Sequence, residues 1–258
     1  VYQTIPHFSF WERWWNMATP RNCSPSHLIR EQKIISQEGL VDMRDYYNRQ
    51  LSELEQLMSE MGQMIEAAIE EAMTALLQKD QEKARQIIQD DEKVDHQQKK
   101  IEDLCMQLLL SQQPVATDLR QISSAIKMVT DMERIGDHAA DISDITLQLV
   151  QSGYPHDLSN VKKMAEETTH MLKDSLDAYI EKDAQKAVKV IHQDDVVDEY
   201  FSNIKKEIIR QINESSEGGE QETDLLMIIK YLERIGDHAT NIAEWVLFYI
   251  TGEHPEIA

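Results

Sequence analysis

Seven residues occur twice in this chain: Glu133-Arg-Ile-Gly-Asp-His-Ala139 returns as Glu233-Arg-Ile-Gly-Asp-His-Ala239, a hundred positions later. A second pair of segments supports the duplication. Ala75-Leu-Leu-Gln-Lys-Asp80 through Asp95 aligns with Ala178-Tyr-Ile-Glu-Lys-Asp183 through Asp198 at an offset of 103, with Lys79/Lys182, Asp80/Asp183, Ala84/Ala187, Ile88/Ile191, Asp91/Asp194 and Asp95/Asp198 as identical pairs. A repeat of this length makes half a chain the unit of folding, so the fold must contain two similar bodies packed together.

Punctuation within each half is sparse. Only six prolines and eight glycines occur in 258 residues, and the prolines (Pro6, Pro20, Pro25, Pro114, Pro155 and Pro255) leave long stretches that nothing interrupts. Such stretches suit long helices. From Leu51, the residues Leu54, Leu57, Met58, Met61, Ile65, Ile69, Met73 and Leu76 recur at steps of three and four, which is the helical period. This predicts a first helix ending near Leu77. Asp80 then serves as N-cap to a second, which carries Ala84, Ile88, Val94, Ile101 and Leu108 to the break at Pro114. A third runs from about Val115 through Ile122, Val129, Ile135 and Ile142 to about Val150. The second half repeats the scheme from about Leu158 to Ile180, Asp183 to Ile212 and Glu222 to Ile250, with Asn213 to Gly219 as a polar loop. The expected class is all-α: two tandem three-helix bundles, residues 43–153 and 154–258.

Residues 1–42 have no counterpart in the repeat and carry Trp11, Trp14 and Trp15. They read as an N-terminal extension outside the core, with Met43 as the start of the repeated protein. The run from Phe8 to Trp15 could lie on a membrane interface, but a tail is the reading adopted.

Charge narrows the functional classes. With 26 basic against 47 acidic residues the formal charge is -21, which repels a phosphate backbone and argues against nucleic acid as a partner. Metal cations and basic protein surfaces remain. No run of about 18 apolar residues exists to span a bilayer. Cys23 and Cys105 form no C-x-x-C pair, so a reducing compartment, the cytoplasm, is expected.

The duplicated segments hold acids four residues apart: Asp91 with Asp95, Glu133 with Asp137, Asp194 with Asp198, and Glu233 with Asp237. On a helix this spacing puts both carboxylates on one face, about 5–6 Å apart at Cβ, where like charges cost a few tenths of a kcal/mol. A bound cation would repay that cost, and carboxylate oxygens are hard ligands suited to magnesium, calcium, manganese or iron. The alternative is that a chain with 28% charged residues carries such pairs on solvated faces, with Arg134 and Arg234 pairing with Asp137 and Asp237 at i,i+3. On a helical wheel the acids flank the apolar stripes Ile122, Val129, Met132 and Ile228, Leu232, Ile235. Gly136 and Gly236 lie nearer those stripes and read as points of close helix approach. His138 and His238 read as surface or interfacial imidazoles rather than ligands.

Di-iron oxidase chemistry would need two Glu-x-x-His pairs. Only Glu167 with His170 fits, and its repeat equivalents are Met64 and Ala67. No phosphate-binding glycine loop, nucleophile elbow or H-E-x-x-H helix occurs, so nothing marks an enzyme. A metal-dependent hydrolase using the carboxylates is kept as the alternative.

Leu232-Glu-Arg-Ile-Gly-Asp-His-Ala239 followed by Asn241-Ile-Ala, together with Asp91-x-x-x-Asp95 and its partner, closely resembles the PhoU family of phosphate-specific transport system accessory proteins. The likeness spans about Met43 to Ile250. It implies two three-helix bundles related by pseudo-twofold symmetry, and clusters of iron, zinc or other ions held on the surface. Carried over, the motif places ligands at Asp91, Asp95, Glu133, Asp137, Asp194, Asp198, Glu233 and Asp237. It also implies a non-catalytic negative regulator of the phosphate regulon, linking the ATPase subunit of the phosphate ABC transporter to a sensor histidine kinase. A homodimer is expected. Two departures stand out: residues 1–42 have no family equivalent, and Asp141 is answered by Asn241.

Overall fold

The computed structural model describes residues 25–111, 115–152, 157–214 and 219–253, with side chains placed from residue 44 on except at 111, 151 and 152. Six helices make up the described chain: α1 (Pro25–Gln78), α2 (Gln81–Ser111), α3 (Ala116–Ser152), α4 (Ser159–Glu181), α5 (Ala184–Glu214) and α6 (Gly219–Thr251). No strand occurs among the described residues. The chain forms two compact units, Val1–Arg49 and Gln50–Ala258, and the second holds both repeats.

The helix borders follow local chemistry. At both α1/α2 and α4/α5 the chain turns through a Lys-Asp pair. Lys79 and Lys182 take left-handed backbone angles (φ 59° and 56°), and the following aspartate amides donate back to Ala75 and Ala178 at 3.0 Å. This six-to-one bond closes the helix end and supplies partners for carbonyls that would otherwise lack them. Asp80 Oδ1 then accepts from the Lys83 amide at 3.0 Å. Asp183 Oδ1 accepts from the Gln185 and Lys186 amides at 2.9 and 3.1 Å. The N-cap expected at Asp80 is therefore present in both repeats.

Two borders differ from expectation. The first helix begins at Pro25 rather than near Leu51. Proline suits the first helical turn, where its missing N–H is not needed, and no second proline follows before Pro114 to stop the helix. The helix thus takes in 25–42 of the segment read as an extension, while the tail reading of 1–24 lies outside the described residues. α6 begins at Gly219, three residues before Glu222, and the acids Glu220 and Glu222 in its first turn favour the positive end of the helix dipole. The loop expected at 213–219 is shortened from both sides, because α5 continues to Glu214.

The expected stripes form the core. Met61, Ile65, Ile69 and Leu76 of α1, Ile101 and Leu108 of α2, and Ile122, Val129, Met132, Ile135 and Ile142 of α3 are fully buried. Their counterparts include Leu172 on α4, Val190 on α5, and Ile228, Leu232, Ile235 and Ile242 on α6. α3 packs on α2 and on α6, and α6 packs on α4 and α5 as well, so α3 and α6 join the two bundles. α1 docks through the Gln97 amide, which donates to the Leu57 carbonyl at 3.2 Å, and the Gln121 amide, which donates to Glu55 at 3.0 Å. His138 and His238 occupy equivalent places in the repeats and their rings stand 5.6 Å apart, so an approximate twofold axis passes between α3 and α6.

Candidate functional site

Close approach of α2 to α3 creates the first acidic group. Gly136 faces α2, and a Cβ at that position would stand 3.1 Å from Val94 Cγ1 and 3.3 Å from Asp91 Oδ1. The missing side chain lets the Asp91 carboxylate settle against α3. There Asp137, Asp95 and Glu133 surround it, with Asp141 further along the same face. Burial first, and then these like charges, push the Asp91 carboxyl up to about 6. Glu133 is raised as well, by burial and then by Asp137, against the opposing charge of Arg134. All four acids expected from the first repeat thus meet across one helix pair.

The second repeat rebuilds the arrangement on α5 and α6. A Cβ on Gly236 would meet Val197 Cγ1 at 3.3 Å and Asp194 Oδ1 at 3.5 Å. Asp194 is pushed up to about 6 by burial, then by Asp237 and Asp198. Asp237 is raised by burial and then by Glu233, with Lys230 opposing. The close-packing role read for both glycines is what the geometry shows, and each brings an aspartate of the preceding helix to the rim of the core.

Basic side chains neutralise these groups only in part. Arg134 bonds Asp137 at 3.0 Å and approaches Glu133 at 3.5 Å, so the i,i+3 pairing weighed from the sequence exists in the first repeat. In the second, Lys230 pairs with Glu233. Among the described residues no group of three or more His, Cys, Asp or Glu side chains stands ready at metal-holding distance. The donor set is all oxygen and under mutual repulsion, which is the chemistry a hard cation takes.

The histidines sit at the α3/α6 interface. His138 is buried, its ring 5.3 Å from Tyr231 and 5.6 Å from His238, with Nδ1 3.5 Å from Asp141 Oδ2. Burial lowers its pKa most, and Asp141 opposes that shift. Across the axis, His238 Nδ1 lies 2.8 Å from Asp131 Oδ1, which also accepts from Asn241 Nδ2 at 3.2 Å. Position 131 is Asp where 231 is Tyr, and position 141 is Asp where 241 is Asn. Each histidine therefore keeps one nearby acid, and α3 supplies both: Asp141 on the helix of His138 itself, and Asp131 across the axis to His238 on α6. The sequence reading left out Asp131 and Tyr231, and comparing the copies for differences rather than identities would have found them.

The model of the PhoU domain matches residues 58–146 and, a second time, residues 161–246. The chain belongs to the PhoU family. Each matched stretch contains one complete acidic group. A phosphate-specific transport system accessory protein PhoU homolog from Clostridium acetobutylicum is 40% identical over 210 residues, covering 80% of this chain and 96% of that protein. The crystal structure of PhoU from Pseudomonas aeruginosa superposes with a TM-score of 0.78 at 31% identity, over 80% of this chain and all of the other. PhoU from Streptococcus pneumoniae, solved as a phosphate transport system regulatory protein, gives 0.76 at 33% identity over 82% of this chain. The fold of this PhoU chain is thus the all-α double bundle expected from the repeat.

Proposed function

We propose that the chain is an accessory protein of phosphate transport that acts as a negative regulator of the phosphate regulon. In this reading it couples the ATPase subunit of the phosphate ABC transporter to a sensor histidine kinase, in the cytoplasm, as a homodimer and without catalysis. The observation that carries it is the likeness to proteins named for phosphate-specific transport over nearly their whole length. No helix among the described residues is long and apolar enough to cross a membrane, which is compatible with work through partners at the membrane. Deleting the gene in the source organism should derepress phosphate-responsive transcription and alter phosphate uptake. Unchanged transcription and uptake would sink the assignment.

Within this function the two acidic groups would hold cations, iron or zinc by family likeness, with magnesium or manganese as further candidates. Asp91, Asp95, Glu133 and Asp137 would hold one set, and Asp194, Asp198, Glu233 and Asp237 the other. The cation would neutralise much of the repulsion among the four carboxylates of its set. Convergence of half-buried carboxylates across two helix pairs supports the assignment. Elemental analysis after purification without chelator is expected to find metal that Asp91→Asn with Asp194→Asn removes, and a metal-free wild type would refute it. The hydrolase alternative calls for a pocket beside the acids, and a cavity does border Asp91. Turnover that vanishes with Asp137→Ala would favour that alternative.

A further inference from the structure

The two halves differ beside their acidic groups. A cavity of about 230 Å3 opens between α1 and α2 against Gly136 of α3. Its apolar lining comes from Met64, Ala68, Ile87 and Val94. Three carboxylates, Glu71, Asp90 and Asp91, stand around that lining against one ammonium, Lys93. Lys93 is already held by Asp90 at 2.7 Å. Glu71 and Asp91 therefore face the cavity with no ion-pair partner among the described residues.

The second repeat carries other residues at the same places. Ala68 is answered by Met171, which is fully buried, and Ala67 by His170. Met64 is answered by Glu167, which accepts from Gln193 at 3.0 Å and ties α4 to α5. Glu71 is answered by Asp174, which is bound to Lys189 at 3.0 Å. The counterpart of Glu71 is thus paired and that of Ala68 is a buried methionine, so the lining of this cavity is not repeated in the second half.

We propose that this cavity receives an arginine side chain from a partner protein. An arginine carries an aliphatic stem that apolar walls can cover and a planar head that two carboxylates on neighbouring helices can clamp. The volume fits one long side chain and falls below the roughly 300–1,000 Å3 of pockets that take drug-sized molecules. A chain with a formal charge of -21 also favours a basic partner surface, and charge complementarity of this kind sets encounter and register. The inference goes beyond the adaptor reading and stands without any metal. A cation at Asp91 would compete with it.

The test uses the full chain in chelator, with the Met64 methyl group followed by NMR. Titrations use n-butylguanidinium, an acetylated and amidated pentapeptide with a central arginine, and the same peptide with a central glutamine. The expected result is a saturable Met64 shift with the first two probes and none with the third. Glu71→Gln should weaken binding about tenfold or more, the worth of one hydrogen bond to a charged group. The double variant Ala67→His with Ala68→Met, which installs the second repeat's own residues, should abolish binding while retaining wild-type helicity. No saturable shift, or equal binding by the double variant, would overturn the proposal. Binding of butylguanidinium without the arginine peptide would overturn the protein source of the ligand. Should the double variant fail to fold, Glu71→Gln alone decides, and unchanged affinity there refutes the clamp.

Discussion

Replacing Asp91 by Asn tests whether the acidic group on α2 and α3 is repulsive when no cation is bound. The Asp91 carboxyl is pushed from 3.8 up to about 6, chiefly by burial and then by Asp137, Asp95 and Glu133. A folded-state value above the unfolded one means that the native protein holds more protons between those limits. Stability from this group is therefore present at about pH 4 and is lost as pH rises through about 6. The interval corresponds to ~3 kcal/mol at 1.36 kcal/mol per pH unit. Because the carboxylate is only half-buried, solvent screening reduces this to ~1–2 kcal/mol. Asn keeps the shape without the charge. In chelator the Asp91→Asn variant is expected to exceed the wild type by ~1–2 kcal/mol at about pH 7 in urea unfolding, and to match it at about pH 4. For a body of this size the gain corresponds to a rise in Tm of about 2–8 °C. Adding a divalent cation should stabilise the wild type and close the gap. A variant that is no more stable than the wild type near neutral pH, or that gains equally at both pH values, would refute the reasoning.

Two further outcomes follow from packing and capping. Asp183→Ala removes the acceptor for the Gln185 and Lys186 amides and should cost about 1 kcal/mol, read as a lower urea midpoint with an unchanged slope; no change in midpoint would mean that the Lys182 turn alone holds the helix end. Ile135→Ala opens the core beside Gly136, where Ile135 is fully buried, and should cost about 2–5 kcal/mol, and a loss below about 1 kcal/mol would show that the interface collapses to refill the space.

Helical periodicity and the matched Lys-Asp turns made the double bundle legible, because each signal is local and each occurs twice. The acidic groups were legible for the same reason, and the structure brings Asp91, Asp95, Glu133 and Asp137 to one face and their counterparts to another. The start of α1 was not, since the residues before Leu51 lack the regular apolar stripe that marked the rest of the helix. The contacts of His138 with Tyr231, and of His238 with Asp131, depend on how α3 crosses α6, which no spacing within one helix records. The cavity beside Asp91 was hidden in a different way. Ala67 and Ala68 look unremarkable until their partners His170 and Met171 are set against them across the axis.

The unlike pairs at that axis, Asp131 with Tyr231 and Asp141 with Asn241, mean that the halves are not interchangeable. A protein made from two copies of the first half would set an aspartate where Tyr231 now stacks beside His138, crowding another carboxylate against Asp141. Two copies of the second half would instead leave His238 facing a phenol and an amide, with no acid in reach. The first half supplies both acids and the second supplies the phenol and the amide, so each copy suits the other better than a second copy of itself.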